Sequence, residues 1–196
     1  QLAGIIALSD QIKPESSRVV QSLRNLDISS IMLTGDVESA ARMIAEQAGI
    51  AEIIASVRPD GKAEKIKQLK NQGQTTAMVG DGINDAPALA EADLGLAMGS
   101  GIDVAMEAGD VVLVGDQLTG LVTALELGRA TLRNIKQNLF WAFGYNVLLI
   151  PVAAGVLHIF GGPTLSPMFA GAAMALSSVS VVTNALRLKL FQPSLK

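Results

Sequence analysis

Up to about residue 118 the chain alternates short apolar runs with amphipathic stretches, the rhythm of a parallel sheet flanked by helices. Apolar runs at residues 4–8, 30–33, 52–55, 76–79, 94–97 and 111–114 predict strands. Between the first two, Pro14 occupies the opening position of a helix reaching about Asn25, with Val19, Val20 and Leu23 facing inward. Residues 38–48 repeat Ala41, Ile44, Ala45 and Ala48 at helical spacing and stop at Gly49. Residues 62–71 place Ile66 and Leu69 on one face of a third helix. The predicted fold is α/β, a Rossmann-like parallel sheet with flanking helices over residues 1–118, followed by an amphipathic stretch at 119–136. Beyond that the pattern changes.

Residues 137–160 and 163–186 are two apolar segments joined by a turn at Gly161, Gly162 and Pro163. Each is about 24 residues, roughly 36 Å as a helix, enough to span a bilayer with some tilt. The expected layout is a span at 137–161, a span at 163–187 and a tail at 188–196. Charge sharpens the division. All 18 acidic residues lie at or before Glu126, and none of residues 137–186 carries a formal charge. The net charge of −3 is therefore an average over two solvents. Arg129, Arg133 and Lys136 precede the first segment, and Arg187, Lys189 and Lys196 follow the second, while the turn has none. The positive-inside rule puts both ends, and the α/β domain, in the cytoplasm of an integral membrane protein. The alternative is a helical hairpin buried in a large soluble protein. A lipid membrane is an expected partner, and nucleic acid is not. Without cysteine the segment supplies no disulfide and no thiolate ligand. The opening residues lack a basic n-region and read as a strand entered midway, as expected of a piece of a longer chain.

The candidate chemistry sits at strand ends. Met78-Val79-Gly80-Asp81-Gly82-Ile83-Asn84-Asp85-Ala86-Pro87-Ala88-Leu89 delivers two carboxylates four residues apart at the carboxyl end of a predicted strand, where open α/β sheets place ligands. Gly80 and Gly82 allow close approach to the backbone, and hard oxygen donors on a tight turn suit Mg²⁺ bound with a phosphate. A plainer use for Asn84 or Asp85 is to cap the next helix. Thr34-Gly35-Asp36 ends another strand, and Lys62 lies in the helix opened by Pro59-Asp60-Gly61. A hydroxyl, an ammonium and a Mg²⁺-binding carboxylate are what phosphoryl transfer requires, because positioning and charge neutralisation do nearly all the work. Taken singly, Lys62 reads as a solvated helix lysine and Thr34-Gly35-Asp36 as an ordinary turn.

The order Thr-Gly-Asp, then lysine, then Gly-Asp-Gly-x-Asn-Asp-x-Pro-Ala-Leu resembles the phosphorylation domain of P-type ATPases. These are cation pumps of the haloacid-dehalogenase-like fold that pass through an aspartyl-phosphate. The resemblance implies that Asp81 coordinates Mg²⁺ and Asp85 supports that site. It implies that Lys62, Thr34 and Gly35 contact the phosphoryl group, that Asn84 helps to hold it, and that Asp36 lies near the nucleotide and hinge. Asp10 resembles a strand-end aspartate of structural role. One departure stands out. The family's nucleophile is an aspartate followed by Lys-Thr-Gly-Thr, and none of the ten aspartates here precedes a lysine. The nucleotide-binding insertion and the Thr-Gly-Glu loop are likewise not in the sequence. ATP would bind through that missing domain, the N-terminal half of the pump is an expected partner, and this chain alone is expected not to form the phospho-enzyme.

The membrane segments bear on the ion. Tyr145 and Asn146 precede Pro151, whose ring removes the helical partner of the Val147 carbonyl, and broken helices beside polar groups are where transporters bind ions. Met174 and Ser178 are four apart and share a face. Helix packing is the ordinary use for such groups. No carboxylate lies in either segment, and thioether with neutral oxygen suits Cu⁺ better than Ca²⁺, Na⁺, K⁺ or Zn²⁺. Tyr145, Asn146, Met174 and Ser178 are similar to groups lining the transport path of Cu⁺-exporting members, which implies a bacterial plasma-membrane location. Alternatives are a Cu²⁺ or Zn²⁺/Cd²⁺ pump, a membrane-tethered phosphatase, and a non-catalytic membrane metal-binding or regulatory fragment.

Overall fold

The computed structural model describes residues 11–80, 84–99, 109–162 and 166–195. The predicted strand at 4–8, together with Asp10, Asp81, Gly82 and Pro163, lies outside the described residues. The chain divides near residue 122 into two units.

In the first unit the expected alternation is present. Helix α1 (Ser16–Asn25) buries Val19 and Leu23, and Pro14 and Glu15 form the turn that leads into it. Strand β1 (Ile31–Leu33) and strand β2 (Glu52–Ile54) pair in parallel, with Ile31 opposite Glu52 and Leu33 opposite Ile54. Helix α2 (Glu38–Ala48) connects them and ends at Gly49, whose φ of 76° gives the left-handed cap that a side chain would oppose. Helix α3 (Pro59–Asn71) starts three residues before the amphipathic pattern that begins at Lys62. The missing N–H of Pro59 costs nothing in the first turn, and Asp60 complements the helix dipole there.

The second sheet runs β3 (Ala77–Gly80), β4 (Leu94–Met98), β5 (Val111–Leu113), all parallel. Helix α4 (Ala86–Glu91) links β3 to β4. Its Ala88 and Leu89, both 1% exposed, join Ile66 of α3, Met78 of β3 and Ala97 of β4 in one cluster, against which Leu33 of β1 also packs. A Cβ on Gly95 would sit 2.7 Å from the Leu89 carbonyl oxygen, so α4 lies on β4 at a distance only glycine permits. Truncating Leu89 to alanine empties the middle of this cluster. The expected loss is about 2–5 kcal/mol of unfolding free energy, measured by denaturant titration; a loss below about 1 kcal/mol would show that the site collapses to fill the void.

The second unit is helical. Helix α5 (Thr119–Ala153) merges the predicted amphipathic stretch with most of the first apolar segment, and helix α6 (Val156–Ile159) follows a break at Ala154–Gly155. The apolar segment expected at 137–161 is thus two helices rather than one continuous helix. Pro151 cannot donate to Val147, α5 continues only two residues past it, and Gly155 at φ 89° turns the chain. Helix α7 (Pro167–Leu186) begins four residues later than predicted, where the Ser166 hydroxyl accepts the Phe169 N–H at 3.4 Å. It ends in a 3₁₀ turn, Arg187–Leu190. Among the described residues one helix, Met168–Leu190, is long and apolar enough to cross a membrane. Phe140, Phe143, Val147, Leu148 and Ile150 of α5 and Met174, Leu176, Val179 and Val182 of α7 are all exposed. Helices apolar over so much of their surface need lipid or further helices around them.

Candidate functional site

The carboxyl ends of β1 and β3 carry the polar residues singled out above. At β3, Lys62 Nζ donates to Asp85 Oδ1 at 2.7 Å, with the two side chains only 16% and 11% exposed. The lysine is thus not a solvated one. Asp85 stands at the N-cap of α4, yet its side chain makes no capping bond there; the carboxylate is committed to the ammonium instead. Gly80 is required by this seating. A Cβ there would lie 2.7 Å from Asp85 Cβ and 2.8 Å from Oδ2. Asn84 is exposed beside it. Asp81 and Gly82 fall outside the described residues.

At β1, the Thr34 hydroxyl donates to Asp36 Oδ2 at 3.0 Å and accepts the Asp36 N–H at 3.1 Å, a local turn closed by its own side chains. The Thr34 carbonyl accepts the Val57 N–H at 3.0 Å, and the Asp36 carbonyl accepts the Ser56 N–H at 2.8 Å. A Cβ on Gly35 would meet the Val57 carbonyl oxygen at 3.3 Å. This turn is therefore fastened to the segment that leads into α3, three residues before Pro59 and six before Lys62. Two clusters are formed, Thr34–Gly35–Asp36 with Ser56–Val57, and Lys62 with Asp85 and Gly80.

In the second unit, Tyr145 Oη and Ser180 Oγ are 3.4 Å apart, pairing α5 with α7. Asn146 Nδ2 donates to the Ala142 carbonyl within its own helix at 2.8 Å, and the Ser178 hydroxyl donates to the Met174 carbonyl at 3.2 Å. The Met174 side chain is exposed.

A haloacid dehalogenase-like hydrolase family model matches residues 1–93. The probable copper-transporting ATPase PacS of Synechococcus elongatus is 58% identical over 192 residues, 98% of this chain and 26% of that protein. A crystal structure of a zinc-transporting PIB-type ATPase matches with a TM-score of 0.78 at 39% identity, over 92% of this chain and 28% of that one. This chain belongs to the P-type ATPases. A copper-exporting P-type ATPase of Vibrio cholerae is 56% identical over 188 residues, 96% of this chain and 20% of that protein. The chain thus spans about a quarter of the length of the P-type ATPases it matches, and its exposed apolar helix α7 fits an integral membrane protein of that family.

Two polar groups of this P-type ATPase segment escaped sequence reasoning. Asp93 Oδ2 accepts the Thr76 N–H at 2.8 Å and its hydroxyl at 3.3 Å, and Lys70 Nζ lies 3.5 Å from Oδ1. The backbone N–H of Thr76 holds the Asp93 carboxyl below its ordinary value of 3.8; burial opposes the shift and Lys70 adds to it. The other is an amide clasp. Asn138 Nδ2 donates to Asn134 Oδ1 at 3.1 Å, and Asn184 Nδ2 donates to Asn138 Oδ1 at 2.9 Å. Asn134 Nδ2 also donates to the Asn184 carbonyl at 2.6 Å. Asn134 and Asn138 sit one helical turn apart, a visible signal, but their partner on α7 is 46 residues beyond Asn138.

Replacing Gly80 with alanine is expected to force Asp85 away from Lys62. By the usual cost of overpacking it should lose about 1–3 kcal/mol of stability in denaturant unfolding; an unchanged midpoint would mean that α4 shifts freely. Asp93→Asn tests the second carboxylate. A depressed carboxyl stabilises the fold above its unfolded value and loses that contribution as pH falls through the folded value. The variant should melt below the parent at neutral pH and converge with it on acidification below about pH 3.8. A gap that persists in acid would assign the effect to packing.

Proposed function

We propose that this chain is the C-terminal portion of an ATP-driven Cu⁺ pump, comprising part of the phosphorylation domain, the helix that leads out of it and the last membrane helices. The observation that carries this reading is the water-shielded Lys62–Asp85 pair seated on Gly80 at a parallel strand end. It sits in a chain whose other unit is an exposed apolar helix pair. The residues present fit Mg²⁺ and a phosphate in their chemistry: Asp85 is a hard-oxygen donor seated against Gly80, and Lys62 beside it is a cation suited to a phosphate oxygen. Mg²⁺ would be held by Asp81 with support from Asp85, and when bound it would offset charge on the phosphoryl oxygens. Lys62 would neutralise a further oxygen, while Thr34, the Gly35 amide and Asn84 would orient the group and Asp36 would face the nucleotide. The phosphorylated aspartate belongs to the remainder of the pump.

For the ion, the support lies in the ligand types. Tyr145, Asn146, Met174 and Ser178 offer thioether and neutral oxygen, and no acid stands in either apolar segment, which suits a soft monovalent cation. A Zn²⁺ pump is the second reading, favoured by the zinc-transporting structures at 38–39% identity. The copper-named relatives from S. elongatus and V. cholerae are nearer, at 58% and 56%, and a divalent ion in lipid favours a carboxylate partner. Exchanging Met174 for isoleucine in the whole pump is expected to abolish Cu⁺-stimulated ATP turnover while phosphorylation by inorganic phosphate survives. Undiminished Cu⁺ stimulation would remove Met174 from the transport path, and Zn²⁺ stimulation of the parent without Cu⁺ stimulation would favour the second reading.

A further inference from the structure

The helical unit carries a groove made of residues other than those assigned to phosphate or to the ion. Near the cytoplasmic ends expected for α5 and α7, Arg133, Asn184, Arg187, Leu188, Leu190 and Phe191 line a space of about 200 Å³. Its charge is one-sided. No residue after Glu126 is acidic, and among the described residues no carboxylate pairs with Arg133 or Arg187. Glu126 itself accepts the Ser194 N–H at 3.0 Å. Arg187 makes one neutral bond, from Nη1 to Asn184 Oδ1 at 3.4 Å, which fixes the guanidinium at the groove without neutralising it.

We propose that this groove binds the phosphate oxygens of an anionic phospholipid headgroup. A planar guanidinium matches a phosphate through paired N–H donors, and two arginines meet a charge that no carboxylate here meets. The groove lies at the end of the Met168–Leu190 span, the level at which headgroups lie. Leu188, Leu190 and Phe191 give it an apolar wall suited to the glycerol and first acyl methylenes, which a free phosphate does not need. Both arginines flank the segments on the side that the positive-inside rule assigns to the cytoplasmic leaflet, where anionic lipids concentrate. Arginines that merely snorkel to the interface would attract such lipids through general charge, with no preference for these two positions. The inference rests on the membrane reading of this unit.

The test uses the whole protein, reconstituted in bilayer discs of phosphatidylglycerol and phosphatidylcholine and then extracted in neutral detergent, with retained lipid quantified by mass spectrometry. Phosphatidylglycerol is expected to be enriched about thirtyfold over the bulk mixture, from a contribution of about 1 kcal/mol for each of the two arginines. The Arg133→Gln/Arg187→Gln variant should fall to the bulk ratio. The Lys136→Gln/Lys189→Gln variant, which removes the same charge outside the groove lining, should keep most of the enrichment. Equal losses in both variants would overturn the site in favour of surface charge. Displacement of the lipid by millimolar inorganic phosphate would assign the groove to a soluble anion and overturn the lipid assignment. If the double variant does not fold, Arg133→Gln alone should still lower the enrichment several-fold, and no change would count against the site. Phosphatidylcholine retained by every variant reports that the helices are embedded, so failure of the membrane reading, with neither lipid retained, is distinguishable from failure of the groove.

Discussion

The Lys62–Asp85 ion pair is the constraint on which the rest of the first unit turns. At 2.7 Å, with both side chains largely shielded from water, each charge needs the other, because a lone charge at that depth is costly. The pair closes only if β3 ends in a residue without a Cβ, α4 starts at that strand end and α3 crosses beside it. Each charged residue also sits one helical turn ahead of a core residue. Lys62 precedes Ile66 and Asp85 precedes Leu89, and both apolar partners lie in the same buried cluster. Packing below and polarity above are one arrangement, so a change in the core is felt directly at the site.

The β1 turn is attached to this arrangement through backbone. Thr34 and Asp36 bond each other and anchor Ser56 and Val57, which hand the chain to α3 and hence to Lys62. The order of strand-end polar groups along the sequence thereby becomes an order in space.

Much of this unit was legible in the sequence because local signals agreed with the fold. Residues 38–48 were read with their observed bounds, since alanine spacing and a left-handed glycine both mark them. Pro59-Asp60-Gly61 was read as the opening of α3, since proline is favoured in a first turn, although the amphipathic pattern itself begins only at Lys62. The Lys62–Asp85 contact was not legible: it joins residues 23 apart through tertiary packing, and only the resemblance set them near one phosphate. In the apolar half, composition announced lipid, whereas the break after Ala153 depended on Pro151 and Gly155 acting together. Tyr145 was singled out for an ion and is found against Ser180, a pairing that helical spacing within one segment cannot reveal.

The amide clasp between α5 and α7 has a consequence of its own. Asn134, Asn138 and Asn184 join the two helices through groups that neither gain nor lose a proton in the physiological range, and Asn184 is 8% exposed. Such a fastening is indifferent to acidification, and because it has no net charge a voltage across the bilayer exerts no net force on it. The helices can therefore keep their register whatever the protonation state of the groups around them.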